Sequence, residues 1–204
     1  MAFMLMPELF KTDKNLLPFN GDVLLFENFF LKEESEKYFN HLLNEIKWKQ
    51  EPIIIFGKEV MQPRLTAWYG NADKPYTYSG LTMQPNAWTK QLLEIKNKIE
   101  SVSEVKFTSA LLNFYRDGKD SMGWHRDNEK ELGLNPVIGS VSFGTSRIFK
   151  LRNYKDKNIV KSIELTNGSF LLMRGETQHY WEHALPKTSK PKGARINITF
   201  RTII

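Results

Sequence analysis

The spacing of apolar residues predicts two helices in the first half of the chain, with strands around them. Apolar side chains recur every three or four positions over residues 32–48 and again over about 86–100. This spacing is typical of amphipathic helices that pack by one face. Residues 21–26 and the stretch between the two helices are richer in strand-forming residues. The first half of the chain is therefore expected to mix helices and strands.

After residue 106 the pattern changes to a period of two, in short apolar runs separated by turn residues. These runs predict strands over residues 109–115, 137–143, 147–151, 162–165, 169–173 and 195–201. We expect no further helices in this half. Many short strands with turns between them are typical of a closed or double-sheet β architecture. The sequence therefore predicts an α+β fold with a jelly-roll core, in a single domain over residues 1–204.

A short hairpin is predicted between the two helices. Residues 53–56 and 59–61 have the composition of two strands, and Gly57 and Lys58 supply the turn that joins them. The hairpin would carry the aromatic side chain of Phe56 at its tip. Two alternatives are that Phe56 packs into the core or has no role beyond the turn.

Composition narrows the possible chemistry. The chain has no cysteine, which excludes disulfides, thiolate metal sites and a cysteine nucleophile, so a metal would have to bind nitrogen and oxygen. The formal charge of +6 is a weak bias toward polyanionic partners, and a solvated lysine-rich surface explains it equally simply. No apolar run approaches the roughly 18 residues of a membrane span. We expect a cytoplasmic protein with no membrane association, nucleoid-associated if its source is bacterial.

A histidine and an aspartate are spaced so that both could ligate one metal ion. In an extended backbone, His125 and Asp127 point to the same side because side chains alternate. A third ligand would complete a two-histidine, one-carboxylate triad. His41 lies in a predicted helix, which leaves His179 and His183, and spacing does not decide between them. The His-x-Asp pair could also be coincidence, and either late histidine could be an ordinary packed side chain.

The last predicted strand has one apolar face and one polar face. Its polar face carries Arg195, Asn197, Thr199 and Arg201. Two arginine side chains on one face could converge on the two ends of a dicarboxylate. An ordinary half-exposed strand would show the same alternation. Asn113 and Tyr115 likewise share one face of their strand and could add donors to an acidic ligand.

Taken together, these residues resemble the AlkB family of iron(II)- and 2-oxoglutarate-dependent dealkylating dioxygenases, and most of all its duplex-DNA repair branch. The resemblance runs from near Trp48 almost to the C-terminus. It rests on Phe56-Gly57-Lys58, Pro63-Arg64, Tyr76-Thr77-Tyr78-Ser79-Gly80, Asn113-Phe114-Tyr115, His125-Arg126-Asp127, Ser140-Val141-Ser142-Phe143-Gly144, His183 and residues 195–201. It implies a double-stranded β-helix core over residues 106–204. Residues 1–105 would form an N-terminal extension with helices and a β-hairpin nucleotide-recognition lid.

The resemblance also implies a ligand set. His125, Asp127 and His183 would bind Fe(II), with His183 favoured over His179 because a Leu-Pro pair follows it two residues on. The 2-oxoglutarate cosubstrate would be bound by Asn113, Tyr115, Arg195, Asn197, Thr199 and Arg201, with O2 as the second cosubstrate.

For the substrate, the resemblance implies that Phe56 wedges into the base stack while the damaged base is flipped out. Gly57 and Lys58 would lie near the nucleic acid backbone. The base pocket would be formed by Arg64, Tyr76, Tyr78, Asn128 and Glu129. Asn128 stands where the duplex-repair relatives have an acidic residue and Tyr78 where they have Phe, which leaves the base preference open.

The implied activity is repair of N-alkylated bases such as 1-methyladenine and 3-methylcytosine. Oxidative demethylation would convert 2-oxoglutarate to succinate and carbon dioxide and release formaldehyde. The expected partner of the monomeric protein is alkylated DNA, in duplex form, with RNA as a possible substrate. The alternatives are a 2-oxoglutarate-dependent hydroxylase or demethylase of RNA or protein, and a non-enzymatic jelly roll that binds nucleic acid.

Overall fold

The computed structural model describes residues 14–55, 57–73, 76–78, 81–190 and 193–204. In chain order the strands are β1 (Asp22–Phe26), β2 (Pro52–Ile55), β3 (Lys58–Met61), β4 (Leu65–Gly70), β5 (Tyr76–Tyr78), β6 (Leu81–Met83), β7 (Ser109–Tyr115), β8 (Met122–His125), β9 (Ile138–Gly144), β10 (Arg147–Asn153), β11 (Val160–Leu165), β12 (Ser169–Arg174), β13 (Trp181–Leu185) and β14 (Arg195–Arg201). The helices are α1 (Lys32–Glu45), α2 (Lys90–Ser103) and the short α3 (Thr177–Tyr180), with a 3₁₀ turn at Lys130–Leu132.

Two antiparallel sheets form the body of the fold. The larger sheet has six strands in the order β1-β12-β9-β14-β7-β4, and the smaller has four in the order β11-β10-β13-β8. Strands that are distant in sequence are neighbours in both sheets, as in a jelly roll. The predicted α+β class with a jelly-roll core is confirmed.

The larger sheet is covered on both faces. On one face α1 and α2 contribute Leu42, Ile95 and Ile99 to a cluster that includes the aromatic side chains of β9 and β12. On the other face residues of both sheets, including Leu171 and Trp181, form a second apolar cluster. Burial on both faces explains why six consecutive residues of β9 are buried. The space between the sheets is where polar side chains of the inner faces can meet.

The helix boundaries differ from the prediction for local reasons. The first helix ends at Glu45 rather than at residue 48, because Ile46 is extended and Lys49 forms a bridge with Thr66. The second begins at residue 90 rather than at about 86. Thr89 is its N-cap, and the Thr89 side chain accepts a hydrogen bond from the backbone of Leu92.

Three elements of the second half, α3, β8 and β13, were not among those predicted. Strand β8 covers Met122–His125, where the sequence analysis assumed an extended backbone only from Trp124 to Asp127. The four-residue helix α3 contradicts the expectation that this half has no helix. It is a single turn, too short to show a helical period. Strand β13 was missed because His183 points inward at a position where an alternating apolar pattern would have a hydrophobic residue.

Two hairpins lie outside the main sheets. Strands β2 and β3 pair with Ile55 opposite Lys58, as the sequence predicted to within one residue, and β5 pairs with β6. All four residues of β3 are exposed. Phe56 lies outside the described residues, as do the side chains of Tyr76 and Tyr78. Within the described chain, no helix combines the length and apolar character needed to cross a membrane.

Candidate metal centre

Strand pairing in the smaller sheet brings two histidines together. His125 at the end of β8 lies directly opposite His183 in β13, and their ring centroids are 4.2 Å apart. Asp127 follows β8 two residues later. One potential ligand atom from each of the three residues lies within 4.8 Å of the others. The structure thus assembles the same three side chains that the resemblance singles out as metal ligands.

The hydrogen bonding of His125 fixes which nitrogen can bind a metal. Its Nδ1 lies 2.9 Å from the backbone carbonyl oxygen of Gly123. Since a carbonyl only accepts, Nδ1 carries the proton and donates it. The lone pair is left on Nε2, which lies 3.9 Å from Oδ1 of Asp127.

Asp127 is buried and held from two directions. Its Oδ2 accepts hydrogen bonds from Nε and Nη2 of Arg201, at 3.1 and 2.9 Å. Its backbone N–H donates to the side-chain oxygen of Gln178 at 3.0 Å. Burial by itself would raise the pKa of Asp127, but the charge of Arg201 and the adjacent histidines outweigh it and lower the pKa to about 2. Asp127 is therefore a carboxylate at neutral pH.

His183 supplies the second imidazole of the cluster. Burial, reinforced by the proximity of His125, lowers the pKa of His183 to about 3. Its Nδ1 is buried and has no hydrogen-bond partner in the described part of the chain. Two imidazoles and one carboxylate form the donor set of a facial triad for a divalent metal such as Fe(II).

His179 is engaged elsewhere. Its Nε2 lies within hydrogen-bond distance of the backbone oxygen of Leu134 and of Oδ1 of Asn135. These contacts join α3 to the loop before β9. Of the two histidines that spacing left open, His183 lies at the candidate metal centre and His179 holds a loop in place.

A buried cation lies in the same cavity. Arg195 is 2% exposed, and its Nη2 donates to the hydroxyl of Ser142 at 2.9 Å. Its Nε is buried without a partner among the described residues. The guanidinium lies 5.2 Å from the ring centroid of Tyr115. Burial lowers the pKa of Arg195 to about 10, which leaves it charged at neutral pH. A buried guanidinium with an unused donor fits an anionic ligand such as a carboxylate.

The polar face of β14 is buried, which decides against a half-exposed strand. Arg195, Asn197 and Arg201 are all less than 8% exposed. Asn197 donates to the hydroxyl of Ser140 at 2.9 Å and accepts from Thr199 at 3.1 Å. The cavity is lined by Tyr115, Met122, His125, Asp127, Ser140, Phe149, Met173, His183, Leu185, Arg195, Asn197, Thr199 and Arg201.

Two residues predicted for ligand binding, Asn113 and Arg64, form a hydrogen bond with each other. Oδ1 of Asn113 accepts a hydrogen bond of 2.7 Å from Nε of Arg64, and both side chains are buried. The described residues that line the cavity do not include either of them. A contact of Asn113 with 2-oxoglutarate and of Arg64 with a base stay predictions.

The remaining predicted substrate residues are nearer the surface. Asn128 is exposed, and so are Gly57 and Lys58 on the hairpin. Glu129 is half-buried, and its Oε2 is buried without a partner in the described chain. This carboxylate oxygen is available to accept a hydrogen bond.

The family match and the similar proteins agree with an Fe(II) and 2-oxoglutarate site in this cavity. The model of the 2OG-Fe(II) oxygenase superfamily matches residues 22–201. The chain belongs to this superfamily. Its similarity to "Alpha-ketoglutarate-dependent dioxygenase alkB homolog 3" of Bos taurus is 42% identity over 89% of this chain and 66% of that protein. "DNA oxidative demethylase ALKBH2" of Mus musculus is 36% identical over 86% of this chain and 77% of that protein.

These relatives confirm the resemblance to the AlkB family. The chain spans just under two thirds of the length of the bovine relative, at 66%. The solved structure of OsALKBH1 has the same fold, with a TM-score of 0.59 at 17% identity. The match covers 88% of this chain and 97% of the OsALKBH1 chain.

The residues of this superfamily member fit the two groups that the superfamily's name contains. The two imidazoles and the carboxylate of His125, His183 and Asp127 suit Fe(II), and the unpartnered Nε of Arg195 suits a carboxylate of 2-oxoglutarate. Together with O2 these are the predicted cofactor and cosubstrates, and the family match confirms that prediction.

Six contributors to the cavity were given no site role from the sequence. Five of them line it, namely Met122, Ser140, Phe149, Met173 and Leu185, and Gln178 holds the backbone of Asp127. Phe149 lies in a predicted strand, and the alternation around it could have identified its inward face. Gln178 gave no signal, because its partner is 51 residues away.

Proposed function

We propose that this chain removes N-alkyl groups from the bases of DNA by Fe(II)- and 2-oxoglutarate-dependent oxidative demethylation. One observation carries the proposal: a two-histidine, one-carboxylate cluster shares a cavity with the buried guanidinium of Arg195, whose Nε has no hydrogen-bond partner among the described residues. The names of the similar proteins, a dioxygenase and a DNA oxidative demethylase, support the reaction class.

The chain's contribution to the reaction is binding, orientation and exclusion of water. His125, Asp127 and His183 would hold Fe(II), and Arg195 beside Tyr115 would bind a carboxylate of 2-oxoglutarate. When bound, Fe(II) and 2-oxoglutarate use O2 to form succinate and carbon dioxide and to hydroxylate the N-methyl carbon, which then leaves as formaldehyde. Arg201 keeps Asp127 ionised and correctly oriented, because two of its nitrogens donate to one carboxylate oxygen.

Glu129 supports an alkylated adenine or cytosine as the substrate. Both bases carry an exocyclic amino group, which is a hydrogen-bond donor. Alkylation at the neighbouring ring nitrogen, as in 1-methyladenine or 3-methylcytosine, also makes the base cationic. The buried and unpartnered Oε2 of Glu129 lies two residues from the ligand Asp127 and could accept from such an amino group. Its negative charge would favour the cationic lesion over the unmodified base.

The β2–β3 hairpin supports access by base flipping. It exposes the apolar side chains of Ile54, Val60 and Met61, at 62%, 44% and 49%. Enzymes that modify a base in a duplex extrude it, and an apolar side chain often fills the gap. We propose that Phe56, next to the exposed Gly57 and Lys58, fills that gap in duplex DNA. Tyr76 and Tyr78 are proposed to contact the flipped base.

The decisive test is formaldehyde release from a duplex oligonucleotide that carries one 1-methyladenine. The assay contains Fe(II), ascorbate and 2-oxoglutarate, and each is omitted in turn. We expect release that requires both Fe(II) and 2-oxoglutarate. The same strand as single-stranded DNA and as RNA measures the substrate preference. Consumption of 2-oxoglutarate without formaldehyde from any of the three would contradict nucleic acid as the substrate. If the iron-loaded protein neither consumes 2-oxoglutarate nor releases formaldehyde, the proposed oxygenase activity is refuted.

A further inference from the structure

The residues that alternate with the metal ligands form a connected cluster on the opposite face of the smaller sheet. Trp124 and Arg126 flank His125 in sequence, and Glu182 precedes His183. Since side chains alternate along a strand, Trp124 and Glu182 point away from the cavity. The cluster, here called the outer clamp, consists of Trp124, Arg126, Arg152, Tyr154, Lys157 and Glu182.

Arg152 joins three strands of the smaller sheet. It lies directly opposite Glu182 in the β10–β13 pairing, and its Nε donates to the Glu182 carboxylate. The guanidinium carbon lies 4.1 Å from the centroid of the Trp124 ring on β8. A planar guanidinium can stack on an aromatic face while its edge binds a carboxylate. One side chain of β10 therefore contacts both strands that carry metal-ligand histidines.

A second set of contacts extends the cluster to the segment before Asp127. Nζ of Lys157 lies 2.8 Å from Glu182 and 4.4 Å from the centroid of the Tyr154 ring. The guanidinium carbon of Arg126 lies 3.8 Å from the same centroid. Arg126 also donates to the backbone oxygen of His179 at 3.1 Å. Thus Arg126, between the ligands His125 and Asp127, is fixed to the loop after β10 and to α3.

These contacts matter because β8 is weakly held by its own backbone. It has four residues, lies at the edge of the smaller sheet and, in the described part of the chain, pairs with β13 alone. The register of that pairing shifts between His183 and Leu185. A slip of one residue would turn His125 to the outer face.

We propose that the outer clamp sets the register and separation of β8 and β13, and thereby positions His125 and His183 to bind the metal. The proposal rests on the proposed function only in so far as these histidines hold a metal ion. The side chain of Glu182 is only 10% exposed and contacts two cations, Arg152 and Lys157, which distinguishes it from an isolated surface ion pair. Arg152 and Trp124 are therefore positioning residues rather than catalytic ones.

The test measures metal binding with Co(II) as the probe, because its visible d–d absorption reports ligand geometry. The apo-protein is titrated with Co(II) as wild type, Arg152→Ala, Trp124→Ala and Trp124→Phe. We expect about 10-fold weaker Co(II) binding and altered d–d bands for both alanine variants, as for other residues that orient metal ligands. Trp124→Phe keeps an aromatic face for the guanidinium, so it should restore most of the affinity and the spectrum.

The matched control is Arg174→Ala. Arg174 also forms an arginine–carboxylate pair, with Asp22 at 2.6 Å, but it joins β12 to β1 in the larger sheet. Its loss should leave the Co(II) affinity and spectrum unchanged even if the melting temperature falls. If Arg152→Ala does not fold, Glu182→Gln serves instead, because it keeps the shape and removes the charge.

Two results would overturn the clamp. One is wild-type Co(II) affinity and spectrum in Arg152→Ala and Trp124→Ala. The other is an equal loss in Arg174→Ala, which would indicate a general effect of stability. If the wild-type protein binds Co(II) but releases no formaldehyde with Fe(II), the proposed function is refuted. The proposal about the outer clamp is not affected by that result.

Discussion

The cavity between the sheets and the β2–β3 hairpin are built in opposite ways. Cavity residues come from strands of both sheets and are mostly buried, with Asp127, His183 and Arg195 all less than 5% exposed. The hairpin is a separate two-stranded sheet, and every residue of β3 is exposed. A two-stranded hairpin without a packed face is marginally stable in water, whereas a side chain in a packed core is held in one conformation.

This difference suggests a division of tasks. The buried cavity can orient a metal and a small cosubstrate because packing and hydrogen bonds hold its side chains in place, as Arg201 holds Asp127. The exposed hairpin can adapt its shape to a large substrate at low cost. Changes in the cavity should therefore affect the reaction with every substrate, whereas changes in the hairpin should affect only the substrates that need it.

The largest effect is expected for Asp127→Ala. It removes a metal ligand and leaves the buried Arg201 without the carboxylate it bonds to, so formaldehyde release should fall by at least about 100-fold on every substrate. Formaldehyde and bound Fe(II) are measured together. His179→Ala is the control, because His179 lies only four residues before the ligand His183 but contacts the loop before β9. This variant should still bind Fe(II). Retained activity in Asp127→Ala would show that the metal is held elsewhere.

Arg195→Met should weaken 2-oxoglutarate binding and leave metal binding intact. Loss of a buried charged partner costs about 2–4 kcal/mol, which corresponds to roughly 30- to 1,000-fold in the Kd of 2-oxoglutarate. Binding is measured by calorimetry on the Co(II)-loaded protein. Arg116→Met removes an arginine that pairs with Asp120 and is 45% exposed, and it should leave this Kd unchanged. An unchanged Kd in Arg195→Met would assign the carboxylate to another residue.

Phe56→Ala tests the hairpin. Stacking of an aromatic side chain on a base contributes about 1–3 kcal/mol, so kcat/KM on duplex DNA should fall by about 5- to 150-fold. Single-stranded DNA has no gap to fill, and its kcat/KM should change by less than about 2-fold. Leu31→Ala, at an apolar residue that is 66% exposed beside α1, should change neither. Equal losses on the two substrates would exclude the wedge.

The sequence could predict relations within one strand but not contacts between distant strands. Local alternation was enough to place Arg195 and Asn197 on one face of β14 and to put His125 beside Asp127, because these relations depend only on the period of a strand. The choice between His179 and His183 depended on the family resemblance. In the structure it follows from the pairing of β8 with β13, between residues far apart in the chain.

Long-range partners were beyond local patterns for the same reason. Arg201 was predicted to bind 2-oxoglutarate, and the structure shows it bonded to Asp127, 74 residues away. Asn113 faces Arg64 at a separation of 49 residues. A strand's period predicts which face a side chain is on, but the neighbour it meets there depends on the order of strands in the sheet.

Two glycines allow the packed core and the β2–β3 hairpin to be compared with the same substitution. Gly57 in the hairpin turn and Gly175 between β12 and α3 both have positive φ, at 76° and 58°. A Cβ at Gly57 would meet nothing within 4 Å, and at Gly175 it would only touch the side chain of Asp22 at 4.0 Å. Alanine at either position therefore adds backbone strain of about 1 kcal/mol with little steric conflict.

We expect the same strain to have different consequences in the two regions. Gly175→Ala should lower the melting temperature by about 2–4 °C and leave KM unchanged, because its turn is part of the cooperative core. Gly57→Ala should leave the melting temperature unchanged and raise KM for duplex DNA by up to about 5-fold, since 1 kcal/mol of strain disfavours the hairpin conformation that binds. The melting temperature and the KM for duplex DNA are measured for both variants. A fall in melting temperature for Gly57→Ala equal to that of Gly175→Ala would show that the hairpin unfolds with the core and is not an independent element.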